Sequence, residues 1–175
     1  MSKKVFVLKK QIISILFILI LGTTLHYTYN WSNENPVIGI FSAVNESTWE
    51  HLKLLYFPIL ITIILGKYYL KNNYSNYICL KTKGILSSFL FVIIFFYTYT
   101  GVIGEDIAFL NILSFIIAVI YSEMYVYKNI NKNITCNMKL AIFMLFILLF
   151  SFIIFTFFPL QLGLFRDPVT GTFGI

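Results

Sequence analysis

From Gly84 to Gly104 the chain reads GILSSFLFVIIFFYTYTGVIG, without a single acid or formal cation. Wound as a helix rising about 1.5 Å per residue, this stretch covers roughly 30 Å, the thickness of a bilayer's hydrocarbon core. Gln11 to Trp31 and Leu140 to Phe158 are equally free of formal charge. A surface helix of a soluble domain would interrupt such runs with a polar face. Composition agrees. Charged residues make up 11% of the 175 positions, against roughly a quarter in soluble domains. The chain therefore reads as an all-α integral membrane protein.

Two weaker runs complete the pattern. One starts near Thr48, tolerates Glu50, His51 and Lys53 at its head, and continues to about Tyr69 with Pro58 inside it. Proline removes a donor there, which frees the carbonyl of Leu54 and predicts a kink. The other begins at Asp106 and carries Asn111 and Glu123. The pattern predicts a single membrane domain with helices at approximately 11–30, 48–69, 84–104, 106–127 and 140–158. Turn formers in QLGLFRDPVTGTFGI argue against a sixth helix in the tail, 159–175. The basic start MSKKVFVLKK also opens signal peptides, but the run after it is too long for an h-region and lacks an A-x-A-like site, so it reads as a retained helix.

Lysine placement sets the orientation. Lys3, Lys4, Lys9, Lys10, Lys67, Lys71, Lys81, Lys83, Lys128, Lys132 and Lys139, eleven of the thirteen basic residues, fall on one side of the predicted bundle. Six of the seven acids (Glu34, Glu46, Glu50, Glu105, Asp106 and Asp167) fall on the other. The positive-inside rule makes the lysine side cytoplasmic, with the N-terminus in and the C-terminus extracytoplasmic. The net charge of +6 is thus a topology signal, and nucleic acid is not an expected partner. Heavy use of Ile, Lys, Asn, Phe and Tyr suggests an AT-rich bacterial genome and a multi-pass protein of the cytoplasmic membrane, with the lipid bilayer as its partner. Cys79 and Cys136 fall on the reducing side, where a structural disulfide is not expected.

The acidic side collects the chemistry. Asn45 to Lys53 reads NESTWEHLK, and His26 lies about one turn inside the end of the first helix. His26, His51 and Asp167 are candidate ligands for a divalent metal such as zinc, which accepts mixed His and carboxylate sets and can activate water. Glu50 and Glu46 are candidate catalytic carboxylates. Asn45, Trp49, Lys53, Asn111 and Arg166 are candidate substrate contacts, the substrate being a lipid-like or envelope molecule. Arg166 and Asp167, folding back over the pocket, would let Arg166 pair with Glu46 or Glu50. Plainer roles compete. Ser47-Thr48-Trp49-Glu50 fits a capping box, and Glu46, Glu105 and Asp106 suit helix starts. Asp167-Pro168 is an ordinary turn initiator. His26 resists such dismissal, since an ionisable group inside a membrane helix needs a partner or a task. Glu50-His51 lacks the second histidine of H-E-x-x-H, and no G-x-S-x-G is present. Asn45-Glu46-Ser47 and Asn133-Ile134-Thr135 match glycosylation sequons, of little weight in a bacterial chain.

The motif N-E-S-x-W-E-H-x-K, together with FRDPVTGTFGI, resembles the signature of a family of small clostridial-type membrane proteins of unknown function. The resemblance spans the chain and implies a bacterial cytoplasmic-membrane location. It implies no activity. Membrane metallohydrolases of the alkaline-ceramidase type are not matched, because this chain has too few helices and too few histidines. Three functions fit the sequence: a metal-assisted hydrolase, a ligand- or ion-binding or transport component, and a scaffold subunit without a site.

Overall fold

The computed structural model describes residues 3–70, 74–132 and 134–175, with the side chains of residues 3–6 and 69 left aside. Lys71, one of the topology lysines, and Asn133, head of the second sequon, lie outside the described residues. The helices are α1 (Lys3–Trp31), α2 (Pro36–Gly39), α3 (Thr48–Leu70), α4 (Tyr74–Ile103), α5 (Ala108–Asn129) and α6 (Met138–Phe157), followed by a single 3₁₀ turn at Gly163–Phe165. All but α2 are long and apolar enough to cross a membrane, the build of a multi-pass membrane protein. The tail adds no further long helix. Its chain folds into a small turn closed by an antiparallel bridge between Arg166 and Phe173.

Two helices begin well before their apolar runs. α1 starts at Lys3, before the predicted 11, and α4 at Tyr74, before the predicted 84. Charge-free sequence marks the stretch that lipid demands, while the helix continues wherever backbone hydrogen bonds can propagate. The early start of α4 places Lys81 inside the bundle, fully buried, where the sequence assigned it to an interhelical gap.

α3 is the central helix, with 67% of its spanning window buried, against 22–33% for the other four. α1 and α5 pack together, α1 also meets α3, and α4 contacts α3, α5 and α6. The core joins Ile18, Leu52, Leu55, Tyr56, Ile59, Ile85, Phe89, Ala118, Val119 and Phe152. One contact positions the site. A Cβ on Gly22 would lie 2.7 Å from the carbonyl oxygen of Leu54. That carbonyl is the one Pro58 deprives of its helical donor. Glycine therefore lets α1 close onto α3 at the turn just below His26.

Cys79 and Cys136 form a disulfide, contrary to the expectation from compartment alone. Because α4 starts early, Cys79 sits on its bundle-facing side, 5% exposed. The segment between α5 and α6 brings the two Cα atoms to 6.1 Å, well within bridging range.

Candidate functional site

The segment between α2 and α3 is bound to the end of α1 through Ser42. Its hydroxyl lies 3.0 Å from the Thr28 hydroxyl, accepts from the Tyr29 amide at 3.0 Å, and donates to the Leu25 carbonyl. Beneath this segment lies Lys53, wholly buried in α3. Its ammonium donates to the carbonyls of Gly39 at 2.7 Å and Ser42 at 3.1 Å, and meets Glu50 at 2.5 Å. Glu50 in turn accepts from the Val44 amide and the Thr156 hydroxyl, both at 3.1 Å. The pair thus ties α3, the α2–α3 segment and α6 together. A buried ion pair persists only when its remaining donors and acceptors are filled in this way.

The capping box forms by half. Ser47 Oγ accepts from the Glu50 amide at 3.3 Å, but the Glu50 carboxylate turns to Lys53 rather than back to Ser47. Asn45 replaces it, accepting from the Ser47 amide at 2.9 Å.

Glu46 and His51 have a different fate. His51 Nδ1 lies 2.9 Å from the Ser47 carbonyl, a contact that only an N–H donor makes favourably. The acceptor nitrogen of the neutral ring is then Nε2. Nε2 faces Glu46 Oε2 at 3.4 Å, while His26 Nε2 faces Glu46 Oε1 at 3.7 Å. The two imidazole rings stand 5.2 Å apart. One ligand atom from each of His26, Glu46 and His51 lies within 4.8 Å of the others. Lone pairs pointed at a carboxylate repel it unless a proton or a cation lies between. Tetrahedral zinc, with bonds near 2.0–2.2 Å, separates its ligands by about 3.4 Å, close to the two nitrogen–carboxylate spacings here. His26 Nδ1 is buried without a hydrogen-bond partner.

Glu46 is half-exposed and tethered from behind. Its backbone amide donates to Asp167 Oδ2 at 3.3 Å. With its ring protonated and no cation bound, His51 donates to the Glu46 carboxylate and holds that carboxyl below the ordinary range, outweighing burial, and the charges of protonated His51 and His26 add to this. Burial pushes Asp167 upward, but the amides of Val169, Thr170 and Glu46 and the Thr170 hydroxyl prevail and hold it low. Asp167 is thus a turn-former and a support for Glu46, outside the ligand cluster. The tail is pinned further by Asn45 Nδ2, which donates to the Gly174 carbonyl at 3.1 Å.

Two cavities share His26 and Glu46. The larger, about 320 Å³, runs down between α1, α3, α4 and α5, with Gly22, Leu55, Val92, Phe96, Ile112 and Phe115 among its walls. Thr23, Thr48, His51 and Asn111 supply its polar lining. The second, about 250 Å³, lies under the tail and is bounded by Asn30, Asn45, Asp167, Thr170 and Thr172.

The sequence-predicted set therefore divides. His26, His51 and Glu46 converge. Asn111 reaches the larger cavity, its amide and Asp106 clustered around the Tyr99 hydroxyl. Asn45 and Asp167 border the smaller one. Glu50 and Lys53 are consumed by each other. Trp49 packs on Phe152, Phe155 and Phe165, away from both cavities. Arg166 is exposed. The ion pairs of Glu46 and Glu50 among the described residues are with the two histidines and Lys53, so the anticipated pairing with Arg166 is absent.

Sequence reasoning missed a second polar cluster at the lysine-rich end. Lys81 meets Glu123 at 2.5 Å and donates to Thr62 Oγ1 at 2.9 Å and Ser14 Oγ at 3.2 Å. Glu123, an acid deep in an apolar run, was the available signal, since such a group needs a partner.

The chain belongs to a family of unknown function (DUF6512), whose model matches residues 1–175. No curated protein and no solved structure matches it.

Proposed function

We propose that the protein is a membrane-embedded metal-dependent hydrolase. His26, Glu46 and His51 hold a divalent cation of zinc type, and a water molecule fills the remaining coordination position. The supporting observation is the convergence of three ligand atoms around one point, with the Nδ1 contact to the Ser47 carbonyl aiming His51 Nε2 into it. A backbone carbonyl that holds the far nitrogen of a ligating histidine, as Ser47 holds His51, is a usual outer-shell partner of a metal site. Three protein ligands and one open position are the composition of hydrolytic zinc centres, where bound water ionises near neutrality. Glu50 takes no chemical part in this reading and anchors the segment that carries Glu46. On the lysine rule the site faces outward from a bacterial cytoplasmic membrane, at the headgroup level.

Metal analysis of the detergent-purified full chain tests the proposal. About one zinc per chain is expected, lost in His51→Ala, His26→Ala and Glu46→Gln but kept in Glu50→Gln. Absence of bound metal after incubation with zinc, or retention by all three ligand variants, would overturn it. In the first case His51 and Glu46 form a plain imidazolium–carboxylate pair, and a metal-free ligand-binding or scaffold protein becomes the better reading.

A further inference from the structure

We infer that the substrate is a carboxylic ester of a long-chain fatty acid with an uncharged, hydroxyl-rich headgroup, its chain in the larger cavity and its head in the smaller one. The inference rests on the metal reading above and adds to it the class of molecule.

Depth argues for the chain. The larger cavity descends from the ligand cluster along helices that span the apolar layer, and its walls are mainly aliphatic and aromatic. Ile112, which lines it on α5, is 60% exposed, so the cavity wall reaches the outer surface of a helix apolar enough to face lipid. A volume of about 320 Å³ sits at the small end of ligand pockets, enough for one chain rather than a pair.

Charge argues for the head. The smaller cavity has hydroxyl and amide groups from Asn30, Asn45, Thr170 and Thr172, and the carboxylates of Glu46 and Asp167. Its lining contains neither Lys nor Arg. Phosphate recognition calls for such cations or for a helix N-terminus. Asp167, already accepting three backbone amides, would repel an anionic head. Hydroxyls of a polyol match the donors and acceptors present.

The reaction balances without further reagents. The oxygen of the cation-bound hydroxide adds to the ester carbonyl carbon. The tetrahedral intermediate collapses by breaking the carbon–oxygen bond to the polyol, and the hydroxide's proton ends on the departing alkoxide. One water is consumed; its first proton leaves to solvent when the hydroxide forms, and a fatty carboxylate and a free polyol are released.

The test uses the zinc-loaded full chain with monododecanoylglycerol. Monoacetylglycerol has the same head without the chain, and dodecanoyl lysophosphatidic acid has the same chain with a phosphate head. Hydrolysis of the first should exceed that of each comparison ester by about tenfold or more. Ile112→Trp should lower the dodecanoyl rate about tenfold by plugging the cavity, with zinc content unchanged. Ile120→Trp, at another exposed position on α5 outside the cavity, should change nothing. Thr172→Lys should raise the relative rate on the phosphate ester. Equal rates on the acetyl and dodecanoyl esters, or indifference to Ile112→Trp, would overturn the chain assignment. A phosphate ester cleaved as well as the neutral one would overturn the head assignment. Zinc bound stoichiometrically without hydrolysis of any of the three would overturn the ester chemistry while leaving the metal centre standing. A zinc-free protein would remove the metal reading itself, and this inference with it.

Discussion

Lys81 and Glu123 meet fully buried inside the bundle with the lysine's donors all taken, whereas His26, Glu46 and His51 face one another at the opposite end beside two open cavities. The three N–H donors of Lys81 have three acceptors in Glu123, Thr62 and Ser14. Glu123 Oε2 has no hydrogen-bond partner among the described residues, but it is sealed in the core, and Lys81 has no donor left over. At the histidine cluster the sum is different. The Nε2 atoms of His51 and His26 lie 3.4 and 3.7 Å from the Glu46 carboxylate, and a cation would satisfy both neutral rings and the carboxylate at once. The contrast recurs within one motif. Glu50 and Glu46 stand four residues apart, yet the first is sealed against Lys53 and the second faces two cavities. A filled polar network holds helices together, and an unfilled, convergent one is where chemistry can enter.

If this division is right, breaking the sealed cluster costs stability and breaking the open one costs metal. The largest effect is expected for Glu123→Gln or Lys81→Met, each of which strands a buried partner and should destabilise by about 3–5 kcal/mol. Joint replacement by Lys81→Met and Glu123→Leu should recover most of that in thermal unfolding. A double variant as unstable as the singles would show that the pair has a role beyond mutual neutralisation.

Next comes metal removal. Chelation of the zinc-loaded chain should lower unfolding stability by about 2.7 kcal/mol when free zinc had stood at a hundred times its dissociation constant. His51→Ala should be indifferent to chelator. Equal chelator sensitivity in wild type and His51→Ala would move the metal elsewhere.

Glu50→Gln should cost about 1.5–3 kcal/mol through its charged hydrogen bonds to Lys53, Val44 and Thr156, with zinc stoichiometry preserved. Loss of zinc at unchanged stability would erase the distinction between the two glutamates.

The smallest effect concerns acid. Asp167 has a lowered folded-state pKa, so its contribution is fully present above the ordinary aspartate value near 3.9 and is lost as pH falls through the folded value. Limited proteolysis of the tail should increase as pH falls below about 4 and through the lowered folded value. Asp167→Asn should release the tail at neutral pH and flatten that dependence. A tail released equally at all pH values in wild type would contradict it.

Much of the architecture is legible in apolar run length, because lipid imposes its thickness on each helix separately. Helix starts are less so. Lys81 looked like a loop residue since charge was read as a boundary, yet Glu123, Thr62 and Ser14 supply the partners that let it lie inside. The disulfide was hidden for a related reason. Compartment argued against it, but the early start of α4 and the fold-back before α6 bring Cys79 and Cys136 together. Within the site, His26 stood out because an ionisable group in an apolar helix is costly. Glu46 and Glu50 were indistinguishable as residue types, and Asp167 was grouped with the ligands although its carboxylate closes a turn.

The sequence by itself determined that this chain makes helices long and apolar enough to span a membrane, which helices carry the polar residues, and that most acids and most lysines fall at opposite ends. Those properties are local and periodic, and depend on each segment's balance with lipid and water. Only the tertiary structure decided which carboxylate meets which cation. That choice depends on rotation and close approach of helices distant in sequence, set by contacts such as Gly22 on the Leu54 carbonyl and Lys53 beneath the α2–α3 segment. A difference of one position along α3 turns a side chain by about 100°, which separates Glu50, facing its partner Lys53, from His51, facing His26.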